Sequence, residues 1–501
     1  MNNLTVKSQN NMKSQATFIR IITIIIALFT SHLMFAQKDY SKKMGMKIND
    51  GAYRDLTKKP VNVMFRGVLP SAKSLQQYCP EVGDQGETAT CVGWSSTYYL
   101  RSIMEAKSRK LTNPTSVAPY RFSPTYTYEQ IKSPTDKDCS GGATIPDALY
   151  ILKNKGAVLL TSLPFQCDVN VSKFDAEAAQ YKIENYATLF DPAETATAIK
   201  VLKIKEALAE TENPVLIGML LPRSFFSATD VWQAAPAESP EVNMGGHAMA
   251  IVGYDDNKYG GAFLIINSWS TKWGNAGYTW AKYDDLARFT RYAAQVYNGV
   301  NPTPAPTTVA LKSEMIFKLT DGNADMPVSS IQERGLDVTN DNSTVEMITY
   351  KMTMPYNSGT RFKMSMNNSK QSYVYIVASD DVNRVTKLFP YQGDKSQNVS
   401  AIVMPSTAVM LPAADRSFTM DTVAGNDYFL VLVSEKELNL DDVAAKIKAS
   451  TGSFKQRVFS ALGSEFIAPA NIGYQPTQVS FEVKGNPKGT IVPMLVQIIH
   501  K

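Results

Sequence analysis

Histidine is almost missing from this chain: there are only His32, His247 and His500. His32 falls in a segment that reads as removable and His500 is the penultimate residue, so imidazole chemistry in a folded region falls to His247. Cysteine is equally scarce, limited to Cys79, Cys91, Cys139 and Cys167. These few groups are too scattered for zinc-type ligand spacing, so no metal and no other cofactor is expected. A large charge of either sign is missing too: 51 basic against 46 acidic residues give +5, and loss of Lys7, Lys13 and Arg20 with the first 36 residues leaves +2. That balance gives no reason to expect nucleic acid or an acidic membrane surface as partner. Finally, the apolar run Ile21–Phe29 is too short for a comfortable membrane span, so no integral span is expected after its removal.

What is present begins with an address. Residues 1–36 pair the basic Lys7, Lys13 and Arg20 with the apolar run and end Met34-Phe35-Ala36, which reads as a signal peptide cleaved after Ala36. A secreted or periplasmic location follows, and with no cysteine after the cut a lipoprotein anchor is not expected. At roughly 150 residues per domain the length allows about three units. The boundaries read from composition are a short N-terminal segment at 37–67, a domain at 68–297, a Pro/Thr linker at 298–309 and a β-rich region at 310–501.

Cys91 lies in Q-G-E-T-A-T-C-V-G-W-S, Gln85 to Ser95. No Gly or Pro occurs between Trp94 and Lys110, and apolar pairs four apart, Tyr99/Ile103 and Leu100/Met104, predict a helix that starts at the cysteine. A thiol is mostly protonated at neutral pH, and a helix N-terminus together with an imidazolium would favour its thiolate. Spacing alone equally suits a buried small apolar residue. His247 opens the apolar run Ala248–Tyr254. After the turn residues Asp255–Gly261, a second strand, Phe263–Ile266, leads into Asn267. If these pair as an antiparallel hairpin, Asn267 comes beside His247 and can fix its tautomer, as the third member of a triad does. Read singly, Asn267 would only terminate a strand.

Together these stretches resemble the papain family of cysteine peptidases over roughly Leu69 to Asp285, in a branch similar to bacterial secreted relatives with G-D-Q-G…C-V-G-W. The resemblance implies a helical half carrying Cys91 against a β-barrel-like half carrying His247 and Asn267, an α+β fold with the cleft between. It assigns Cys91 as nucleophile, His247 as proton carrier, Asn267 as its orienting partner, Gln85 as oxyanion donor, and Trp269 as the shield of the His247–Asn267 contact. Cys139-Ser140-Gly141-Gly142 resembles the family's Cys-x-Gly-Gly, implying substrate-backbone binding at Gly141 and Gly142, with Gly246 beside the histidine. The function implied is hydrolysis of peptide or protein substrates. The alternatives are a non-catalytic papain-like binding protein and an acyltransferase using the same triad.

Two departures stand out. Val92 replaces the usual aromatic after the nucleophile, with Trp94 two positions on, and Thr88 replaces the cysteine that normally pairs with the Cys-x-Gly-Gly cysteine. Pairing among Cys79, Cys139 and Cys167 is therefore open, with Cys139–Cys167 preferred because both fall in the helical half. The 156 residues from Cys91 to His247 (247 − 91) exceed the family's usual interval, and Ala234–Val242 is the candidate insertion.

Beyond the linker, strands are expected at Val345–Met354, Tyr373–Ala378, Ala401–Met404, Tyr428–Val433, Val479–Val483 and Val492–Ile499, with one helix after Asn439. The region resembles a domain of unassigned function in other secreted enzymes, and a surface polymer or protein is its conceivable partner. Tyr373 and Tyr375 suit either a ligand platform or a sandwich core. Residues Gln37–Gly67 lack sustained apolar periodicity and are too short for an independent inhibitory domain. They are expected to lie extended across the surface or to be flexible, leaving the protein active without processing.

Overall fold

Two apolar layouts in one chain build two kinds of sheet. The structure, a computed structural model, describes residues 43–501 except 61, 66–68, 299–309, 332–346, 383, 392–397, 406 and 414–415. The signal-peptide region and all of the expected linker but Asn298 lie outside the described residues. No helix among them is long and apolar enough to cross a membrane.

The chain opens with helix α1 (Asp50–Arg54) and the short strands β1 (Asn62–Phe65) and β2 (Ala72–Ser74). The helical half of the first domain follows. Its central helix, α2, starts at Cys91–Gly93 and runs on through a widened turn, Trp94–Arg101, to Ser102–Ser108. Helices α3 (Pro124–Ile131) and α4 (Ile145–Asn154) pack around it. Leu100, Met104, Leu149 and Leu152 are buried in their shared core.

The other half is a sheet built from β3 (Asn185–Thr188), β4 (Val215–Leu220), β5 (Val231–Trp232), β6 (Gly246–Asp255), β7 (Ala262–Ile266), β8 (Tyr278–Lys282) and β9 (Thr290–Tyr297). Helix α5 (Thr197–Thr211) packs on it. The order is β3-β9-β4-β6-β7-β8-β5, with β2 added to β6. Strand β6 is apolar over nearly its whole length because both its faces are covered. The expected hairpin forms: β6 and β7 pair antiparallel with Ala250 opposite Ile266, and a bulge lies at Val252. The stretch 234–242 forms the connection between β5 and β6.

Strands after residue 310, together with β1, form two seven-stranded sheets face to face. One contains β1, β10 (Lys312–Leu319), β13 (Arg361–Asn368), β17 (Thr407–Leu411), β18 (Phe418–Thr419), β20 (Ile472–Tyr474) and β21 (Val479–Val483); the other contains β11 (Val328–Ile331), β12 (Thr349–Met352), β14 (Ser372–Asp380), β15 (Thr386–Phe389), β16 (Ile402–Val403), β19 (Gly425–Ser434) and β22 (Ile491–His500). In β10, Met315 and Phe317 are buried while alternate positions are part-exposed, the period of a strand with one wet face. Strand β19 has no such alternation. Phe429, Val431 and Val433 enter the sandwich core, while Leu430 and Leu432 face a second core. That second core is formed with α6 (Leu440–Ala449), α7 (Phe454–Leu462) and the first domain's Ala187 and Tyr297. Tyr373 and Tyr375 also lie there, each 2% exposed with rings 6.5 Å apart, so they pack the seam between the domains and form no ligand platform.

Candidate active site

Cys91 is the first residue of α2, and no side chain caps that terminus, so the first-turn N–H groups remain free for an anion. The backbone amides of Ala248, Gly45, Val92 and Cys91 face the thiol and favour its thiolate. His247 enters from β6, where it sits opposite Met219 of β4. Its Nε2 lies 2.9 Å from Asn267 Oδ1, just past the end of β7, which leaves Nδ1 as the ring's other reactive nitrogen. Asn267 is itself held, since its carbonyl accepts from the Tyr99 hydroxyl at 2.8 Å and its Oδ1 also accepts from Ser268 N–H at 2.8 Å. Trp269 lies over the imidazole with ring centroids 4.6 Å apart, backed by Phe225, Phe226 and Trp273.

Gln85 joins the group through its own network. Its Oε1 accepts from the Ser268 hydroxyl at 2.7 Å, which turns Nε2 the other way. Ser268 stands inside the Asn-Ser-Trp stretch, yet its sequence gives no sign that it orients Gln85. The Cys139-Ser140-Gly141-Gly142 loop is organised by a second unforeseen residue, Asp136. Its carboxylate accepts from Ser140 N–H at 3.0 Å, Gly141 N–H at 3.1 Å and the Tyr128 hydroxyl at 2.7 Å, and Tyr128 in turn accepts from Gly142 N–H at 2.9 Å. Cys139 is disulfide-bonded to Cys167, while Cys79 and Cys91 are free. Thr88, at the position of the missing cysteine, donates its hydroxyl to Gln85 O at 2.6 Å.

Gln85, Cys91, His247 and Asn267 are all 0% exposed, because residues 43–47 thread the cleft. The Lys43 carbonyl accepts from Gln85 Nε2 at 2.9 Å. Beyond it, Ala143 N–H donates to Gly45 O at 2.8 Å, Lys47 N–H to Ala143 O at 2.8 Å, and Met46 N–H to Gly246 O at 3.0 Å. The Met46 side chain is buried against Gly218 and Ile145. This plug corrects the expectation that the N-terminal segment lies across the surface or is flexible. Its anchorage is mostly backbone hydrogen bonding, which leaves no apolar period in the sequence.

The plug also explains three glycines. A Cβ on Gly45 would fall 1.8 Å from Ala89 O, one on Gly142 2.4 Å from Gly45 O, and one on Gly246 2.3 Å from Met46 O. Gly142 and Gly246 thus line the occupied cleft, whereas Gly141 faces Asp136 and does not meet the bound segment.

Burial also sets the electrostatics of the closed cleft. Burial pushes the Cys91 thiol up to about 11 and the His247 imidazole down to about 4, so in this closed form both are neutral at pH 7. The Asn267 contact and the nearby Lys43 carbonyl favour the protonated ring but are outweighed.

With this geometry in place, comparison with known proteins is informative. A family described as papain family cysteine protease matches residues 71–296, and a domain of unknown function (DUF4384) matches residues 355–437. The chain is 26% identical over 219 residues to cysteine proteinase 3 of Entamoeba histolytica, covering 44% of this chain and 61% of that protein. It is 25% identical over 203 residues to cathepsin K of Gallus gallus, covering 40% of this chain and 54% of that one. The chain thus spans less than two thirds of the length of both relatives. Among solved structures, xylellain, a cysteine protease from Xylella fastidiosa, is similar with 20% identity and a TM-score of 0.40, covering 51% of this chain and 96% of that one. Gln85, Cys91, His247 and Asn267 all fall inside the matched range, so the stretch that is similar to the papain family of cysteine proteases, residues 71–296, contains all four.

Proposed function

We propose that the protein is a secreted cysteine endopeptidase working through Cys91, His247 and Asn267. In this reading the Cys91 thiolate attacks the scissile carbonyl carbon, the C–N bond breaks, and His247 delivers the proton to the leaving amine. Water, deprotonated by His247, then hydrolyses the Cys91 thioester and releases the acid. Gln85 Nε2 and the Cys91 N–H hold the oxyanion, where losing one donor typically costs about 10²–10³-fold in rate. Asn267 keeps Nδ1 turned to the reaction by holding Nε2.

The observation that carries this reading is the Lys43 carbonyl on Gln85 Nε2, at 2.9 Å, in a cleft whose histidine is oriented by Asn267. A peptide carbonyl already sits where the chemistry needs one. Secretion is supported by the signal-like residues 1–36 and by the Cys139–Cys167 disulfide, which suits an oxidising compartment.

The test opens the cleft without touching the reacting groups. In Gly45→Leu a Cβ would fall 1.8 Å from Ala89 O, so the substitution should expel the plug. That variant should cleave a denatured protein substrate, and Gly45→Leu with Cys91→Ser should not. No cleavage by a folded Gly45→Leu protein would favour the non-catalytic papain-like reading.

A further inference from the structure

The plug does not end where it leaves the cleft. From Lys47 the chain passes through α1, where the Tyr53 hydroxyl donates to Ala293 O at 2.7 Å and the Tyr53 ring stacks on Tyr292 at 4.4 Å. Residues 57–59 then run between the two domains and bond to both. On the protease side Lys59 N–H donates to Thr188 O, and Thr188 N–H to Thr57 O, each at 2.9 Å. On the sandwich side Lys58 N–H donates to Asn398 O, and Ser400 N–H to Lys58 O, again at 2.9 Å. The Lys59 ammonium is buried against Glu210 at 2.7 Å. A few residues later β1 adds antiparallel to β17, with Phe65 opposite Thr407 and Asn62 opposite Val409, and so extends a sheet of the sandwich.

The segment that begins as the plug at residues 43–47 is therefore followed closely in sequence by a strand of the C-terminal sandwich, β1. We propose that the C-terminal sandwich is the latch of the plug: the edge formed by Asn398–Ser400 and β17 grips Lys58 and β1, and the cleft opens when that grip is released. The inference concerns control of the site and rests on the protease reading only in its activity readout.

The backbone makes the argument quantitative. A net stabilisation of about 0.5–1.5 kcal/mol per hydrogen bond means that losing one sandwich bond raises the open population roughly tenfold at most, provided the plug and its anchor move together. Local opening of this kind sets the exchange rate of the amides it exposes.

The test uses full-length protein carrying Ser400→Pro, which deletes the donor to Lys58 O without altering the plug or the protease domain. Hydrogen exchange at residues 45–47 should speed up severalfold, and the rate at which a peptidyl epoxide labels Cys91 should rise by the same factor, towards that of Gly45→Leu. Lys58→Pro, which removes the bond to Asn398 O from the other side, should do the same if Ser400→Pro compromises the sandwich. Exchange at 45–47 that stays at the wild-type rate in both variants, with α1 and the cleft holding the plug unaided, overturns the latch. If exchange rises but even Gly45→Leu remains unlabelled, the latch stands and the protease reading fails.

Discussion

The Ser268 hydroxyl donates to Gln85 Oε1 at 2.7 Å, and this bond decides which end of the amide faces the cleft. Ser268→Ala frees Gln85 to turn its carbonyl oxygen inward, where it would repel an oxyanion. In the plug-free Gly45→Leu background kcat should fall about tenfold with KM little changed, since the contact matters most in the transition state. Gln85→Ala should fall further, by about 10²–10³-fold. An unchanged kcat in Ser268→Ala would show that the bond Gln85 Nε2 donates to Thr88 O, at 2.7 Å, positions the amide without Ser268.

Asn267→Ala should lower turnover less than Cys91→Ala does, about 10²-fold against more than about 10⁴-fold, because it disorders the imidazole without deleting a reacting group. Equal losses in two folded variants would give Asn267 a direct part in the chemistry.

The closed cleft should respond to pH. His247 is depressed to about 4 with the plug in place, against an ordinary value of 6.5 when water returns to the ring. A depressed group supports the closed form fully above about pH 6.5, and that support is lost as pH falls from there towards about 4. Cys91, raised to about 11 from 9.0, sets the opposite edge, weakening the plug as pH rises above about 9. Amides 45–47, corrected for intrinsic rates, should exchange faster at pH 4.5 than at pH 7.5. A flat profile across that interval would remove His247 from the control of closure.

The Cys139–Cys167 disulfide closes a separation of 28 residues, which in the chain-entropy account contributes about 3–4 kcal/mol. Cys139→Ser with Cys167→Ser should lower the midpoint of denaturant unfolding accordingly with little change in slope. A shift below about 1 kcal/mol would mean that Asp136 already orders the loop without the bond.

The geometry of the candidate site was legible because a cysteine opening a helix and a histidine and an asparagine across one hairpin are marked by residue type and spacing, and the structure brings His247 and Asn267 together. Strands β14 and β19 were legible from their β-branched and aromatic runs. Strands β10 and β13 were not foreseen, although Met315/Phe317 and Phe362/Met364/Met366 alternate, because methionine carries little strand preference. Helix α7 was also missed. The plug was hidden for a different reason: a segment bound through its own backbone needs only a glycine at 45 and room around it. Nor do Thr57–Lys59 advertise two partners, since carbonyls and amides of any residue type suffice.

The most direct test of the central claim is intact-mass analysis after exposure of the Gly45→Leu protein to a thiol-directed irreversible peptidyl inhibitor. The protein should take up one adduct, mapped to Cys91, that is lost in Cys91→Ser and slowed by orders of magnitude in His247→Ala. Equally fast labelling of Cys91 without His247, or an adduct on Cys79 in its place, would contradict it.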